Sequence, residues 1–547
     1  MGSLLKDGTK HLSGLEETVL KNADAVKKLS KITRTSMGPN GMHKMVVNSI
    51  DKLFVTSDSA TIVRELDVVH PAARMVVMAA QRQEAECGDA TNLVVVLSGE
   101  LMTQAEALIR TGLHPNIVIA GYAKASKLAL QLLSGGADSK FVAKVVADPR
   151  CEADVVECLR PVIAAKQYGY ADVVTPLVAR ACIDVCPRDA ARFNTDSVRV
   201  AKLIGAGVSD STIIRGLVVP HDTEGTVRRV EAGKVCVFQG GLDLPRTETK
   251  GTVLVKNAQQ LVDYSGSEEA QMDAAIQALA DAGVRVVVAG STVSELALHY
   301  CERHKMMVVK VPSKFELRRL CDAVGAAPLL KLGGAVPAAR LGYCDEVAVE
   351  EIGSTLCTVF KQNSERGRIS TIVVRASTKN VLEDVERAID DGVNIYRQLC
   401  LDGRFVAGAG ACEIELAHDL QLLAESEPGL EQYAIRKFAE ALEVVPRTLA
   451  ENAGASHTQI VSDLYAAHEA GRTTVGVDID NGTICDVVAR DEPVLDHMLT
   501  KRQAIEYTAN LVATILKVDQ IIMQRPAGGP KVLNQTGAMD ANDPDVA

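Results

Sequence analysis

Apolar side chains recur at helical spacing near the start of the chain, at Leu15, Val19, Ala23, Val26 and Leu29. The predicted helix ends at Gly38-Pro39-Asn40-Gly41, where proline fixes one φ and glycine tolerates a positive one. Met45-Val46-Val47 then reads as a strand start. Residues 10–145 keep this largely helical texture, with long segments at 72–86 and 93–109. From 147 to 214 the pattern is mixed, with helices at 155–165 and 171–186. From 215 to 368 it turns strand-like and then α/β. Gly216-Leu217-Val218-Val219 and Val235-Cys236-Val237-Phe238 are short apolar runs. Strands at 284–288 and 307–311 alternate with helices at 271–282 and 294–304. After Ile372-Val373-Val374 helices return and run to about 523.

Two stretches break the pattern. The segment 243–267, rich in Gly, Thr, Glu and Lys, is too long for an ordinary loop and reads as a projecting element. A helix at 381–399 carries Asp390-Asp391-Gly392, and glycine is an odd choice in mid-helix. The two ends of the chain share one texture and the middle has another. A discontinuous domain, closed by both termini around an insertion, follows from that. The polar tail from 527 reads as disordered.

A chain of 547 residues has room for roughly three domains. With 47% apolar but only 3% aromatic residues and no Trp, the core must be aliphatic. A net charge of −11 argues against nucleic acid as a partner. The 13 cysteines are scattered: Cys182 and Cys186 lack a second pair at zinc-site spacing, and His299, Cys301 and His304 lack a partner cluster. Reduced thiols fit the cytoplasm. No basic-then-apolar leader opens the chain, no run approaches the ~18 apolar residues of a membrane span, and Lys6 stands where myristoylation wants Ser or Thr. The expectation is a soluble cytoplasmic protein with no membrane partner.

Candidate chemistry sits in the loops. Gly88-Asp89-Ala90-Thr91-Asn92 opens directly into an apolar helix, with Thr91 and Asn92 as capping types and a helix N-terminus that favours an anion. Thr56-Ser57-Asp58-Ser59-Ala60-Thr61 repeats the arrangement. Gly408-Ala409-Gly410-Ala411 permits close approach of backbone or ligand. Each has a plain reading as well: a structural turn at 38–41, and an N-cap at each Asp. Together they suit hydrolysis of a magnesium-bound nucleotide, which needs phosphate donors, a metal-holding carboxylate and an acid to orient water. No Gly-x-x-x-x-Gly-Lys-Ser/Thr occurs, so this is not a P-loop protein. The residues alone do not assemble these pieces into one site, and a metabolic α/β kinase remains the rival.

These motifs, together with Val445-Pro446-Arg447-Thr448-Leu449-Ala450-Glu451-Asn452-Ala453-Gly454, resemble the group II chaperonins in order and over nearly the whole chain. Gly-Pro-Asn-Gly-Met at 38–42, Thr91-Asn92, Thr247-Glu248-Thr249-Lys250-Gly251-Thr252-Val253-Leu254 and Asp519-Gln520-Ile521-Ile522-Met523 are similar to one paralogue of the eukaryotic cytosolic members. The resemblance implies a mostly α fold with an α/β part, in three domains. An equatorial nucleotide-binding domain would take 1–146 and 406–547, a small intermediate hinge domain 147–214 and 369–405, and an apical client-binding domain 215–368, with a helical protrusion at about 243–275. It implies a double ring of eight different subunits per ring, hence seven paralogous partners. ATP-driven lid closure and unfolded clients such as actin and tubulin come with it.

By the same resemblance, Met37 and Gly38 line the phosphates of ATP or ADP, and Asp89 holds Mg2+. Ala90, Thr91, Asn92, Leu93 and Ala164 contact the nucleotide, while Gly410 and Asp496 face the adenosine. Lys166 senses the γ-phosphate, and Asp58 and Asp391 polarise the attacking water. Some positions depart from the family. Ala90 and Asn92 replace Gly and Thr of Gly-Asp-Gly-Thr-Thr, Ala409 and Ser59 replace glycines, and Pro161 and Ala165 replace Thr and Ser. A positive φ at Ala90 would cost on the order of 1 kcal/mol. The implied activity is an ATP hydrolase of reduced rate. The alternative is a structural subunit that holds nucleotide without turning it over.

Overall fold

The computed structural model describes residues 10–13, 15–136, 139–243, 258–330, 332–333, 337–362 and 368–523. The two ends of the chain build one helical body. Leu15–Arg34, Pro71–Cys87, Thr91–Arg110 and Pro115–Leu133 pack with Ala411–Ser426, Glu431–Leu442 and Met498–Leu516. Their apolar stripes meet in a core that includes Val19, Val26, Leu97, Ile435 and Val512, each contributing about 1.5–3 kcal/mol by burial. Aromatics are few but well used. Tyr122 meets Phe438 edge to face at 5.5 Å, and its hydroxyl donates to the Leu101 carbonyl at 3.0 Å.

Thr91–Arg110 has the length and hydropathy of a membrane span, contrary to the expectation that no run comes near one. Here that apolarity is buried: Val94, Val95, Val96, Leu97, Leu101 and Met102 all lie in the core, with other helices packed around them.

A second core joins two distant chain segments. Glu152–Ala164 and Ala171–Val185 pack on Lys379–Leu401 through Leu159, Ile163, Val178, Val385 and Ile389. This packing explains the mid-helix glycine. A Cβ on Gly392 would lie 3.2 Å from Val178 Cγ1 and 3.3 Å from Ile163 Cδ1, so with glycine the three helices come this close without those side chains having to give way.

The middle of the chain forms an eight-stranded mixed sheet, ordered Val198–Ile204, Ser370–Ala376, Thr212–Val219, Thr355–Lys361, Gly342–Ile352, Arg229–Phe238, Val284–Ala289 and Met307–Lys310. The last three strands run parallel, and Glu295–Arg303 and Lys314–Val324 follow the second and third of them. Val235, Val237, Val286, Val288 and Val309 bury one face and Cys236, Val287 and Val308 the other. That is why these strands read as unbroken apolar runs.

The C-terminal part is not wholly helical. Val475–Asp478 and Thr483–Asp486 form a hairpin, Leu495–His497 and Val142–Val145 flank Arg404–Ala407, and Gln520–Met523 pairs antiparallel with Lys10–Ser13. Strands of three or four residues are too short for a period of two to show in the sequence. Of the expected protrusion, 244–257 lie outside the described residues, as does the tail from 527. Ala258–Asp281 is one continuous helix, seated through Met272, Ile276 and Leu279.

Candidate functional site

Every residue to which the resemblance gives a nucleotide, metal or catalytic role lines one cleft of about 640 Å³, within the range of small-molecule sites. The cleft lies between the helical body and the second core. Residues from 37 to 496 meet there.

One wall is the turn after Leu15–Arg34. Gly38 adopts φ +80°, and the Gly41 N–H donates to the Gly38 carbonyl at 2.9 Å. A Cβ on Gly41 would fall 2.5 Å from the Ser36 carbonyl oxygen, so the turn needs glycine there too. Helix Val444–Asn452 holds the turn from behind. Asn452 Nδ2 donates to the Met37 carbonyl at 2.8 Å, and Arg34 Nη2 donates to both carboxylate oxygens of Glu451, Oε1 at 3.0 Å and Oε2 at 2.9 Å.

The floor is the start of Thr91–Arg110. Its N-cap is Ala90, left-handed at φ 63° and ψ 20°, and it makes no side-chain cap. Thr91 and Asn92, expected as caps, are instead the first helical residues. Thr91 Oγ1 bonds Ser59 Oγ at 2.8 Å, and Asn92 Nδ2 donates to the Thr33 carbonyl at 3.3 Å. The first return bond runs from the Val94 N–H to the Ala90 carbonyl at 3.2 Å. The amides of Thr91, Asn92 and Leu93 therefore have no intrahelical acceptor, a geometry that suits phosphate oxygens. At the other end of the cleft, Ala409 (φ 51°) and Gly410 (φ 83°) form a second left-handed entry, into Ala411–Ser426. A Cβ on Gly410 would lie 2.7 Å from Pro446 Cβ.

The acids divide by environment. Asp58 caps Ser59–Glu65, as the plain reading had it: its Oδ2 accepts from the Thr61 N–H at 3.0 Å and from the Thr61 hydroxyl at 2.7 Å. Its other oxygen meets Lys166 Nζ at 2.9 Å. Burial alone would raise its pKa, but Lys166 and the Thr61 bonds outweigh it and hold the carboxyl at about 2. Lys166 also pairs with Asp391. Burial works against its charge, yet Asp391 and Asp58 keep it protonated. Asp391 goes the other way. Burial raises it well above the carboxylate range, with Asp89 and Asp58 adding to the rise and Lys166 opposing it.

Asp89 has no ion-pair partner among the described residues. Burial, with the nearby Asp496 and Asp58, raises its pKa, against the Ala90 N–H and the Lys166 ammonium, which lower it. No group of three or more His, Cys, Asp or Glu side chains among the described residues is arranged to hold a metal ion. A lone carboxylate beside a phosphate cradle is nevertheless what Mg2+ uses, because phosphate oxygens and waters complete its octahedron. The donor set fits.

Several lining residues were not foreseen. Glu413 and Lys501 pair at 2.7 Å, and Lys501 reaches Asp496 at 2.8 Å. Helix periodicity could have found both. Met498, Lys501, Ile505 and Val512 share one stripe of their helix, and Glu413, Ala417, Leu420 and Ala424 another, each otherwise apolar. At the mouth, the Tyr168 hydroxyl donates to Asp480 at 3.0 Å, and Arg160 pairs with Glu492 at 2.5 Å. The mouth contacts are largely exposed and worth little. The part-buried Lys166 contacts bridge the two sides of the cleft.

The profile of the TCP-1/cpn60 chaperonin family matches residues 29–526. T-complex protein 1 subunit theta of Dictyostelium discoideum is 52% identical over 540 residues, covering 99% of each chain. The proteins of the same name from Arabidopsis thaliana and Homo sapiens are 48% and 47% identical, covering 97% and 96% of this chain and 95% of their own. With the family profile matched over most of its length and these relatives matched nearly end to end, the chain belongs to the TCP-1/cpn60 chaperonin family, in its group II branch.

Proposed function

We propose that the chain is an ATP-hydrolysing subunit of a hetero-oligomeric cytosolic double ring, eight subunits per ring, that encloses and folds newly made proteins such as actin and tubulin. In this reading 1–146 and 406–547 are the equatorial domain, 147–214 and 369–405 the hinge, and 215–368 the client-binding domain. The theta-type relatives support a theta place in the ring. The observation that carries the reading is Lys166: on the segment after Glu152–Ala164, it spans the cleft to Asp58 of the helical body while pairing with Asp391.

Met37, Gly38 and the amides of Thr91, Asn92 and Leu93 take the phosphates, with Ala164 closing over them. Gly410 and Asp496 take the adenosine. Asp89 holds Mg2+, which supplies charge neutralisation on the phosphates. Asp58, ionised at neutral pH, accepts a hydrogen bond from the attacking water, and Asp391 completes its orientation. Lys166 exchanges its carboxylate partners for the γ-phosphate, which couples the hinge to the state of the nucleotide.

The second reading is a subunit that binds nucleotide without turning it over. Ala90 and Ala409 favour it, because both carry a Cβ in the left-handed region beside the phosphate and adenosine ends. Asp391→Ala separates the two. In a ring otherwise wild type, the nucleotide retained by this subunit should be ADP after a cycle with the wild-type chain and ATP with the variant. ATP retained by both would leave only the structural reading.

A further inference from the structure

Asp496 stands on the short strand Leu495–His497, whose alternation turns Leu495 and His497 inward and Asp496 to the cleft. The strand is well fixed. His497 Nε2 bonds the Asp402 carbonyl at 2.8 Å, and Nδ1 accepts from the Thr500 N–H at 3.4 Å. One Asp496 oxygen, Oδ2, meets Lys501 Nζ at 2.8 Å, and the same ammonium meets Glu413 Oε1 at 2.7 Å. The side chains of Lys501 and Glu413 are 9% and 3% exposed, whereas that of Asp496 is 36% exposed.

Such a lysine is poorly explained by stability. Desolvating it is unfavourable, and an apolar residue would extend the stripe of Met498, Ile505 and Val512 at no such cost. Glu413 adds to the imbalance, since its Oε2 is buried with no hydrogen-bond partner. What the arrangement does achieve is geometric. Lys501 occupies one oxygen of Asp496 and leaves the other side of that carboxylate toward the cleft. Gly408 makes room for this, because a Cβ there would lie 3.2 Å from Asp496 Oδ2.

We propose that Lys501, anchored by Glu413, is a positioning residue that holds Asp496 so that its outer oxygen accepts a ribose hydroxyl, and that this subunit thereby selects ribonucleotides over deoxyribonucleotides. The inference rests on the nucleotide-binding reading above and adds the residue that sets its sugar specificity. Without the ammonium, Asp496 Oδ2 and Glu413 Oε1 lose the contact that fixes them, and the two carboxylates have no cation between them. A freely rotating Asp496 no longer offers an acceptor at a fixed place. A hydrogen bond to a charged acceptor supports about tenfold to hundredfold discrimination.

The test is photolabelling of the assembled ring with 8-azido-ATP and its 2′,3′-dideoxy analogue, with label on this chain quantified by peptide mass spectrometry. No turnover is needed. The wild-type chain should favour the ribose form by about tenfold or more. Lys501→Met and Asp496→Asn should each bring the ratio close to one, and Lys501→Arg, which keeps the charge, should restore part of it. Weaker labelling by both probes in Lys501→Met at the wild-type ratio would make Lys501 merely structural and overturn the proposal. So would equal labelling of the wild-type chain by the two probes. Absence of any label on this chain would overturn the nucleotide-binding reading itself.

Discussion

Lys166 and Asp58 meet at 2.9 Å across the cleft, though they come from separately packed cores and lie 108 positions apart in sequence. Each is anchored on its own side. Asp58 is fixed by capping Ser59–Glu65, and Lys166 follows directly on Glu152–Ala164. The contact therefore ties the two sides of the cleft to each other.

Lys166→Met should loosen that closure. Removing the cation leaves Asp58 and Asp391 facing each other in a buried site, and breaking such a pair costs about 3–5 kcal/mol locally. Amides of Glu152–Ala164 and Ser59–Glu65 should exchange faster in the assembled ring, while those of Thr91–Arg110 keep their protection. Unchanged exchange in the first two segments would remove the lysine's role in closure.

The pH dependence of the contact follows from Asp58. Its folded pKa, about 2, is depressed, so its stabilisation is complete above the ordinary carboxylate range and is lost as pH falls through about 2. Asp391, raised by burial, gives up its charge first on acidification. Asp58→Asn should thus lower local stability at Ser59–Glu65 by about 2 kcal/mol at pH 7. The gap between variant and wild type should close between about pH 4 and pH 2, read by native-state hydrogen exchange.

Asp89→Ala should weaken nucleotide binding itself. The carboxylate has no ion-pair partner among the described residues, and burial outweighs the pull of Lys166 on it, so the chain alone should be stabilised or unaffected, with its Tm in the absence of nucleotide unchanged or higher. Affinity for ATP with Mg2+ should fall by tenfold or more, and affinity without Mg2+ should change little. Equal loss under both conditions would argue that Asp89 acts on the loop and not on a metal.

Ala90→Gly should relieve a left-handed alanine at φ 63°, worth about 1 kcal/mol. Part of that gain is offset by the greater freedom of glycine in the unfolded chain. The informative readout is therefore turnover by this subunit, which should rise if the added Cβ crowds the phosphate. Tm should shift by no more than a few degrees.

Gly392→Ala tests the packing beneath the site. Its Cβ would press on Val178 and Ile163 at 3.2 and 3.3 Å, an overpacking of about 1–3 kcal/mol set against about 1 kcal/mol of helix propensity. A net loss of stability is expected, together with a displaced Asp391 and slower hydrolysis. A more stable variant with full activity would show that the three helices yield freely.

Much of this was legible in the sequence. The stripes of Leu15–Arg34 and Thr91–Arg110 announced their helices, and the valine runs at 235–237 and 286–288 announced buried strands. The hairpin at Val475–Asp478 and Thr483–Asp486 was not, because its strands are short and its sequence is shared with polar turns. The loops holding Asp58 and Asp89 could be recognised one at a time, but capping explains each of them equally well alone. What joins them, the ion pairs from Lys166, is a tertiary fact that no local pattern encodes. Only the resemblance to a known family put them in one place beforehand. Lys501 escaped for a different reason. A lysine in a helix reads as solvent-facing, and its place on an apolar stripe shows only when the stripe is drawn.

The way the chain returns on itself also sets an order of assembly on the ribosome. The eight-stranded sheet is complete once residue 376 has emerged, because all its strands lie between 198 and 376. The helical body must wait much longer. Arg34 finds Glu451 only 417 positions further on, and Leu97 shares its core with Val512. The first helices made are thus the last to be buried. Until the C-terminal segments arrive, an aliphatic face from Val19 to Leu133 stands exposed to solvent, and a nascent chaperonin subunit is itself an aggregation-prone chain in need of shelter.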